Sequence, residues 1–514
     1  MFGHYRHSLR LPIAVCSALL AIALFGCTSP RDYVRNGFKV GPNYVEPSAS
    51  VPCQWIDASD PKLAVDPAND CAWWMNFNDP TLNSLIETAY RQNLTVRSAA
   101  MRVLEARAQR SIAAGNLFPQ SQSAISTYVH GQLPSNLGLP LPTNLNVWAD
   151  GFNASWELDF WGRYRRSVEA ADANLDASVN RYGEALVLLL SDVARNYVQM
   201  RTFEQRLEFT RANALIQIRS AELAEMRFKR GAATELDMRQ ARANVAQTEA
   251  LIPPLEVGRR QAANRLCILL GMPVRDLSNE LPAAPIPLTP PQLAVGIPAD
   301  LIRRRPDVRR AERAVAAQSA QIGVATADLY PRLAINGFIG YVATDLSDLF
   351  DSRNFTGFII PNAQWQVLNY GRIVNNIRVQ DVRLEAVALD YQQTVLTAGR
   401  EVEDALVQYV AAHRQARSLE AGVAEAQRSV ELVMLQFEGG VTDFNRVYNT
   451  QTALMQQQDQ LASTRGTIAM ALVEVYRSMG GGWQQFAPPA MQNLANAPHP
   501  RRHHVMRPAN GFLQ

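Results

Sequence analysis

Five cysteines and seven histidines are the residues of this 514-residue chain best suited to metal ligation or nucleophilic attack. Their spacing argues against both. His4 and His7 lie at the start, His499, His503 and His504 fall in a Pro-rich tail, and the remaining His130 and His413 have no visible ligand partner. No Cys-x-x-Cys, Walker loop, His-Glu-x-x-His or Gly-x-Ser-x-Gly occurs, and isolated Asp/Glu pairs are expected on any helical surface. The chain is therefore expected to hold no metal or cofactor and to catalyse nothing. Fifty basic residues against 47 acidic ones net +3, too little for a nucleic-acid binder, whose affinity comes from clustered positive charge. With 47% apolar and 19% charged residues the chain has ample material for a core.

Arg6 and Arg10 precede an apolar run from Leu11 to Phe25. That length suits a secretory signal and falls short of the ~20 residues of a membrane-spanning helix. The run ends in Leu24-Phe25-Gly26-Cys27, which resembles the bacterial lipobox. On that resemblance Cys27 becomes the first mature residue, carrying a diacylglycerol thioether and an N-acyl chain such as palmitate, a firm anchor. Thr28, in place of Asp, fits delivery to the outer membrane. Cys16 leaves with the signal. Cys267, inside Leu266-Cys267-Ile268-Leu269-Leu270, reads as a buried, inert thiol. Cys53 and Cys71 lie in an exported, Pro/Asp-rich stretch and are predicted to form a disulfide tying down an extended N-terminal segment.

The chain is an internal duplication. Trp156-Glu157-Leu158-Asp159-Phe160-Trp161-Gly162-Arg163 answers to Trp365-Gln366-Val367-Leu368-Asn369-Tyr370-Gly371-Arg372 at an offset of 209. Phe228 against Phe437 and Gly271 against Gly480 keep that offset, and Leu117-Phe118-Pro119 corresponds to Leu329-Tyr330-Pro331. The stretches from Arg163 to Arg230 and from Arg372 to Glu438 lack proline and are rich in strong helix formers. A seven-residue apolar lane runs through Leu186, Val193, Met200, Leu207, Ala214, Ala221 and Phe228. Its counterpart runs through Val395, Val402, Tyr409, Ala416, Val423, Val430 and Phe437. A sustained heptad implies coiled-coil packing. Helices of this length span roughly 100 Å, more than a globular domain of this size accommodates, so they must belong to a rod or tube.

Each long helix breaks at a matched turn. Gly231 supplies the left-handed residue, Thr234 the N-cap and Asp237 the acid of a capping box; Gly439, Gly440, Val441, Thr442 and Asp443 do the same in the second copy. Return helices follow from about Thr234 to Leu270, with a kink at Pro253-Pro254, and from about Asp443 to Met479. Shorter helices are expected from Pro80 to Leu117 and from Ala299 to Leu329.

Ahead of each long helix the period changes to two. Trp148, Phe152, Ala154, Trp156, Leu158 and Phe160 alternate with polar or small residues, as do Ile125, Thr127 and Val129, and Leu333, Ile335, Ile339 and Tyr341. A fourth, weaker run from Phe355 to Val367 contains Pro361, which removes a ladder bond. Beyond the signal no run of 18 apolar residues occurs, so only a closed barrel could cross a membrane. Four strands cannot close one, since outer-membrane barrels have about eight or more. Several chains must share it.

The sequence resembles the TolC-like outer-membrane efflux factors, in particular their OprM-like, NodT-type lipoprotein branch. The resemblance is carried by the lipobox at Cys27, Val40-Gly41-Pro42-Asn43-Tyr44, Trp73-Trp74 with Phe77, Asp79, Pro80 and Leu82, the Trp156 to Arg163 motif, and Arg304-Arg305-Pro306-Asp307-Val308. It covers about residues 27 to 483. It implies a mainly α fold with a membrane β portion: a homotrimer whose 12-stranded β-barrel, set in outer-membrane lipid, continues into a 12-helix α-barrel across the periplasm. Its partners would be a periplasmic adaptor and an inner-membrane pump, its function passive export of drugs or small molecules; a type I protein-secretion conduit shares the fold. Adaptor docking would fall on the tips, at Gly231, Thr234, Gly439, Gly440 and Thr442. Where relatives carry aspartates past the second tip this chain has Arg446 and Asn449, so its periplasmic gate would not favour cations unless Arg446 pairs with Glu438 or Asp443. The expected organisation is a lipoprotein signal over 1–26, an extended segment over 27–79, a first repeat over 80–270, a linker over 271–298, a second repeat over 299–480 and a partly disordered tail over 481–514. Within the repeats the β-hairpins fall at about 120–160 and 332–368, and the helical hairpins at 163–270 and 371–480.

Overall fold

The computed structural model describes residues 29–64, 70–132, 144–277, 280–296 and 298–486. The signal, Cys27 and the tail beyond residue 486 lie outside the described residues. After a short α1 (Pro30–Arg35), a two-residue β1 (Leu63–Ala64) and a 3-10 turn over Asp70–Phe77 come α2 (Pro80–Gln92) and α3 (Leu94–Gly115). Strands β2 (Ser121–Gln132) and β3 (Asn144–Leu158) lead into α4 (Arg163–Lys229), then α5 (Glu235–Glu249) and α6 (Ile252–Leu269). After β4 (Leu293–Ala294) the pattern repeats with α7 (Pro298–Arg304), α8 (Pro306–Ala327), β5 (Arg332–Ala343), β6 (Phe355–Gln364), α9 (Arg372–Glu438), α10 (Phe444–Ser478) and a final turn α11 (Trp483–Phe486).

The duplication is exact to the residue in the long helices: α4 and α9 each hold 67 residues, about 100 Å at 1.5 Å per residue. The predicted single helices divide where the local chemistry requires. Asn93 interrupts the first, its side chain accepting from the Val96 N–H (3.0 Å) and donating to the Leu269 carbonyl (2.9 Å). Pro306 starts α8, because a proline cannot donate within a helix but is preset for its first turn. Pro253 and Pro254 likewise stand in the first turn of α6, so the break falls just before them, at Ala250-Leu251, rather than as a kink at the prolines.

The chain forms two compact units, and neither coincides with a sequence repeat. The first, from Met1–Ala49, Arg102–Ser178 and Arg310–Gln393, carries an antiparallel sheet of order β2-β3-β5-β6. Register sets Phe152 opposite Ile339, Trp156 opposite Ile335 and Ala154 opposite Gly337, which neighbours Ile359. The apolar series of β3 and β5 therefore share one face. In β2 that face receives Ala124, Ser126 and Tyr128, the last stacked on Trp148 (4.3 Å), whereas Ile125 and Val129 turn to the other side. Ser155 donates to Asn336 (2.7 Å) on that second face. Pro361 stays within β6, an edge strand, where a missing donor is tolerated.

The second unit comprises Ser50–Met101, Val179–Arg309 and Thr394–Gln514. Most of the heptad lane lies in its core, whereas Phe228 of that lane is exposed. Leu186, Val193, Met200, Leu207 and Ala214 are buried in one copy, and Val395, Val402, Tyr409, Ala416, Val430 and Phe437 in the other. Family-type motifs are structural here: Trp73 stacks on Tyr476 (5.3 Å), and Asp79 caps α2 while accepting from the Tyr197 hydroxyl (2.7 Å). Arg305 lies almost wholly buried, donating to the Ser478 carbonyl (2.7 Å), to both oxygens of Asp307 (3.0 and 2.8 Å) and to Glu401 (2.7 Å). Cys267 is buried as predicted.

The predicted Cys53–Cys71 disulfide is not formed; both thiols are free and exposed. Other interactions hold this segment instead. Trp55 is buried with its indole donating to the Gly296 carbonyl (2.9 Å), Leu63 pairs with Leu293, and Trp73 and Trp74 are buried beside Cys71. With the tryptophans facing inward, the neighbouring cysteines face solvent.

Candidate functional site: the tips of the helical hairpins

The two hairpin turns are built from helix-capping chemistry. After α4, Gly231 takes a left-handed backbone (φ +69°), where a side chain would be strained, and Thr234 caps α5. The capping box is complete: the Asp237 N–H donates to Thr234 Oγ1 (3.2 Å), and Asp237 Oδ2 accepts from the Thr234 N–H (3.0 Å) and hydroxyl (2.8 Å). In the second turn Gly440, not Gly439, takes the left-handed backbone (φ +76°). The cap there is Asp443 rather than Thr442, accepting from the Arg446 N–H (3.2 Å). The offset of 209 aligns Thr234 with Asp443 and Asp237 with Arg446. A guanidinium cannot accept a hydrogen bond, so the second turn has half a capping box.

The tips meet through a compact cluster of Ala224, Ala241, Val433, Phe437, Phe444 and Val447, with the Phe437 and Phe444 rings edge to face at 5.7 Å. Arg227 of the first hairpin lies over the Phe437 ring (4.7 Å) and donates to the Phe437 carbonyl, which also accepts from the Gly440 N–H (3.1 Å) at the end of α9. Asp237 reaches across as well: its Oδ1 accepts from the Phe444 N–H at 3.4 Å, tying the start of α5 to the start of α10. Burial works to raise the Asp237 carboxyl, but bonds from Thr234 and Phe444 and the charge of Arg227 prevail and hold it below the usual carboxylate range. Glu225 is pulled down to about 2 by hydrogen bonds from Arg242 and Lys229. Further along, Gln451 donates to Ser220 (2.9 Å) and accepts from Asn244 (3.4 Å), a buried polar layer joining α4, α5 and α10.

The outer surface of the tips is mixed. Leu236 and Val441 are exposed apolar side chains beside the turns. Arg446 and Asn449 are both exposed on one face of α10, followed along that face by exposed Ala453, Gln456 and Gln460. Among the described residues the Arg446 guanidinium has no ion-pair partner, and Glu438 and Asp443 do not engage it. Sequence reasoning missed the bonds of Arg227 and Asp237 across the hairpins. The offset alignment, which singles out Asp237 and Arg446 as an unlike pair, was the available signal. Among the described residues no helix is long and apolar enough to cross a membrane.

The family model described as outer membrane efflux protein matches residues 85–272 and 297–481, one segment per repeat. The chain is 29% identical to the pyoverdine export outer membrane protein OpmQ of Pseudomonas putida, over 93% of this chain and 99% of that one. It is 30% identical to nodulation protein T of Rhizobium leguminosarum bv. viciae, over 76% of each. Among solved structures, the outer-membrane channel OprN superposes with a TM-score of 0.83 at 30% identity, covering 86% of this chain and 99% of that one. The fold is TolC-like, and the chain belongs to the outer membrane efflux protein family, the outer-membrane channel components of efflux systems.

Proposed function

We propose that three copies of this chain form one exit duct, each contributing four strands to a twelve-stranded barrel in the outer membrane and two helical hairpins to a tube in the periplasm. The observation that carries this is the sheet. Among the described residues it ends at β2 and β6 with unpaired edges, and one face of β3 and β5 is apolar apart from Asp150. Open edges within lipid would leave backbone groups unsatisfied, so the sheet needs further copies to close. The purified protein in detergent should have the mass of three chains and conduct ions across planar bilayers. A lone subunit without conductance defeats the proposal.

Cys27, acylated, would hold the N-terminus to lipid, and a periplasmic adaptor would dock on the tips, where Gly231, Thr234, Gly439, Gly440, Thr442, Leu236 and Val441 cluster around the turns. An inner-membrane pump would then supply the energy, the duct itself being passive. Control would lie in whether the tips are drawn together or spread. The unpaired, exposed Arg446 followed by the uncharged Asn449, Ala453, Gln456 and Gln460 supports a gate whose narrow end is positive and favours anions.

A further inference from the structure

The segment from Tyr33 to Gly41 is fastened to the start of α4 and the residues just before it by several hydrogen bonds and ring contacts. Arg165 donates to the carbonyls of Gly37 and Phe38 (both 2.8 Å), and Arg166 to those of Val40 and Gly41 (both 3.1 Å). The Tyr33 hydroxyl donates to the Phe160 carbonyl (2.6 Å), and its ring packs on Phe38, Phe160 and Trp161. Phe38 adopts a left-handed backbone (φ +60°), rare for a bulky residue, closed by its N–H donating to the Tyr33 carbonyl (2.9 Å).

This hydrogen-bonded arrangement displays apolar side chains to the outside. Val34, Phe38 and Phe160 are 58%, 54% and 50% exposed. Phe160 stands two residues past the end of β3, and the exposed Phe118 three residues before β2, at the same end of the sheet. Phe160 also continues the even-numbered apolar series of β3. Arg31 and Arg35 are exposed on the same short segment, with Arg35 paired to the likewise exposed side chain of Asp32 (3.1 Å). Apolar and aromatic residues flanked by arginines at the end of a lipid-facing sheet are the composition of a membrane–water interface.

We propose that Val34 and Phe38, with Phe118 and Phe160, form a footprint in the headgroup region of the phospholipid leaflet on the periplasmic side, with Arg31 and Arg35 meeting lipid phosphates. The inference rests on the outer-membrane reading above. Two features favour lipid as the occupant: continuity with the apolar face of the sheet, and Cys27, whose acyl chains would enter lipid within about 20 Å of Tyr33 along the chain.

The test uses the full acylated protein with Cys53→Ser and Cys71→Ser, leaving the buried Cys267. A bimane label is placed on Val34→Cys or Phe38→Cys, with Ile359→Cys as a control on the strand and Ile56→Cys as a control in water. The protein is reconstituted in phosphatidylethanolamine and phosphatidylglycerol vesicles carrying doxyl-labelled lipid. A quencher placed near the headgroup should quench positions 34 and 38 at least twofold more than position 56, and a deep quencher should act chiefly at 359. Quenching at 359 with positions 34 and 38 matching 56 overturns the footprint alone. So does shielding of 34 and 38 from both lipid quencher and aqueous iodide, which would mean that protein covers them. Absence of quenching at 359 overturns the outer-membrane reading, and the footprint with it.

Discussion

Asp237 Oδ1 accepts a hydrogen bond from the Phe444 N–H at 3.4 Å, so one carboxylate of the first hairpin serves the first turn of a helix in the second. The same carboxylate completes the capping box with Thr234. Two helix N-termini that are 207 residues apart in sequence thus share one acceptor.

Removing that carboxylate should loosen both tips. Asp237→Ala is expected to cost roughly 0.5–2 kcal/mol, the range for losing a cap, seen as faster amide exchange in the first turns of both α5 and α10. Because the folded carboxyl lies below its unfolded value, its contribution is complete above about pH 4 and lost as pH falls through the folded value. Protection lost in α5 alone would show that the Phe444 bond carries no stability.

Arg305 is a buried cation bonded to two carboxylates, and cutting it to Ala strands Asp307 and Glu401. A loss on the order of 3–5 kcal/mol is expected in thermal or denaturant unfolding, whereas Arg305→Lys should fall between. Burial works to raise Asp307, but Arg305 outweighs it and lowers its pKa, so wild-type stability should decline in acid below the ordinary Asp range while the Ala variant declines less.

Arg446 provides the electrical test of the gate. Arg446→Asp should move the reversal potential in asymmetric salt from anion preference toward cation preference. An unchanged potential would remove Arg446 from the conduction path.

His413 gives a pH prediction of its own. Its Nε2 is buried without a partner, its ring packs on Tyr409 (4.6 Å), and Tyr409 donates to the Pro290 carbonyl (3.3 Å) beside the β1–β4 ladder. Burial, then Lys62 and Arg417, push the imidazole down against a smaller opposing pull from Asp60. A lowered histidine stabilises above about pH 6.5, and that contribution is lost as pH falls through the folded value. Amide exchange at Leu63 and Leu293, corrected for intrinsic rates, should rise between pH 7.5 and 5.5, and His413→Gln should abolish the dependence.

Much of this was legible from local pattern. The period of seven in α4 and α9, the period of two in β3 and β5, and the matched turns at Gly231 and Gly440 are each read within a few residues. A backbone conformation or an amphipathic face is decided at that range. The pairing of Cys53 with Cys71 was not legible, because oxidation requires proximity and orientation, and here the burial of Trp55 and Trp73 turned both thiols outward.

The residues alone determined that the chain is duplicated, that its helices are far too long for a globule and that its strands have one apolar face. Those properties follow from side-chain order along one element. Only the tertiary structure decided that Tyr128 rather than Val129 shares a face with Trp148, that Arg305 binds the end of α10, and that Asp237 and Arg227 bridge the two tips. Register and long-range hydrogen bonds depend on which elements become neighbours, and that is settled by packing the whole chain at once.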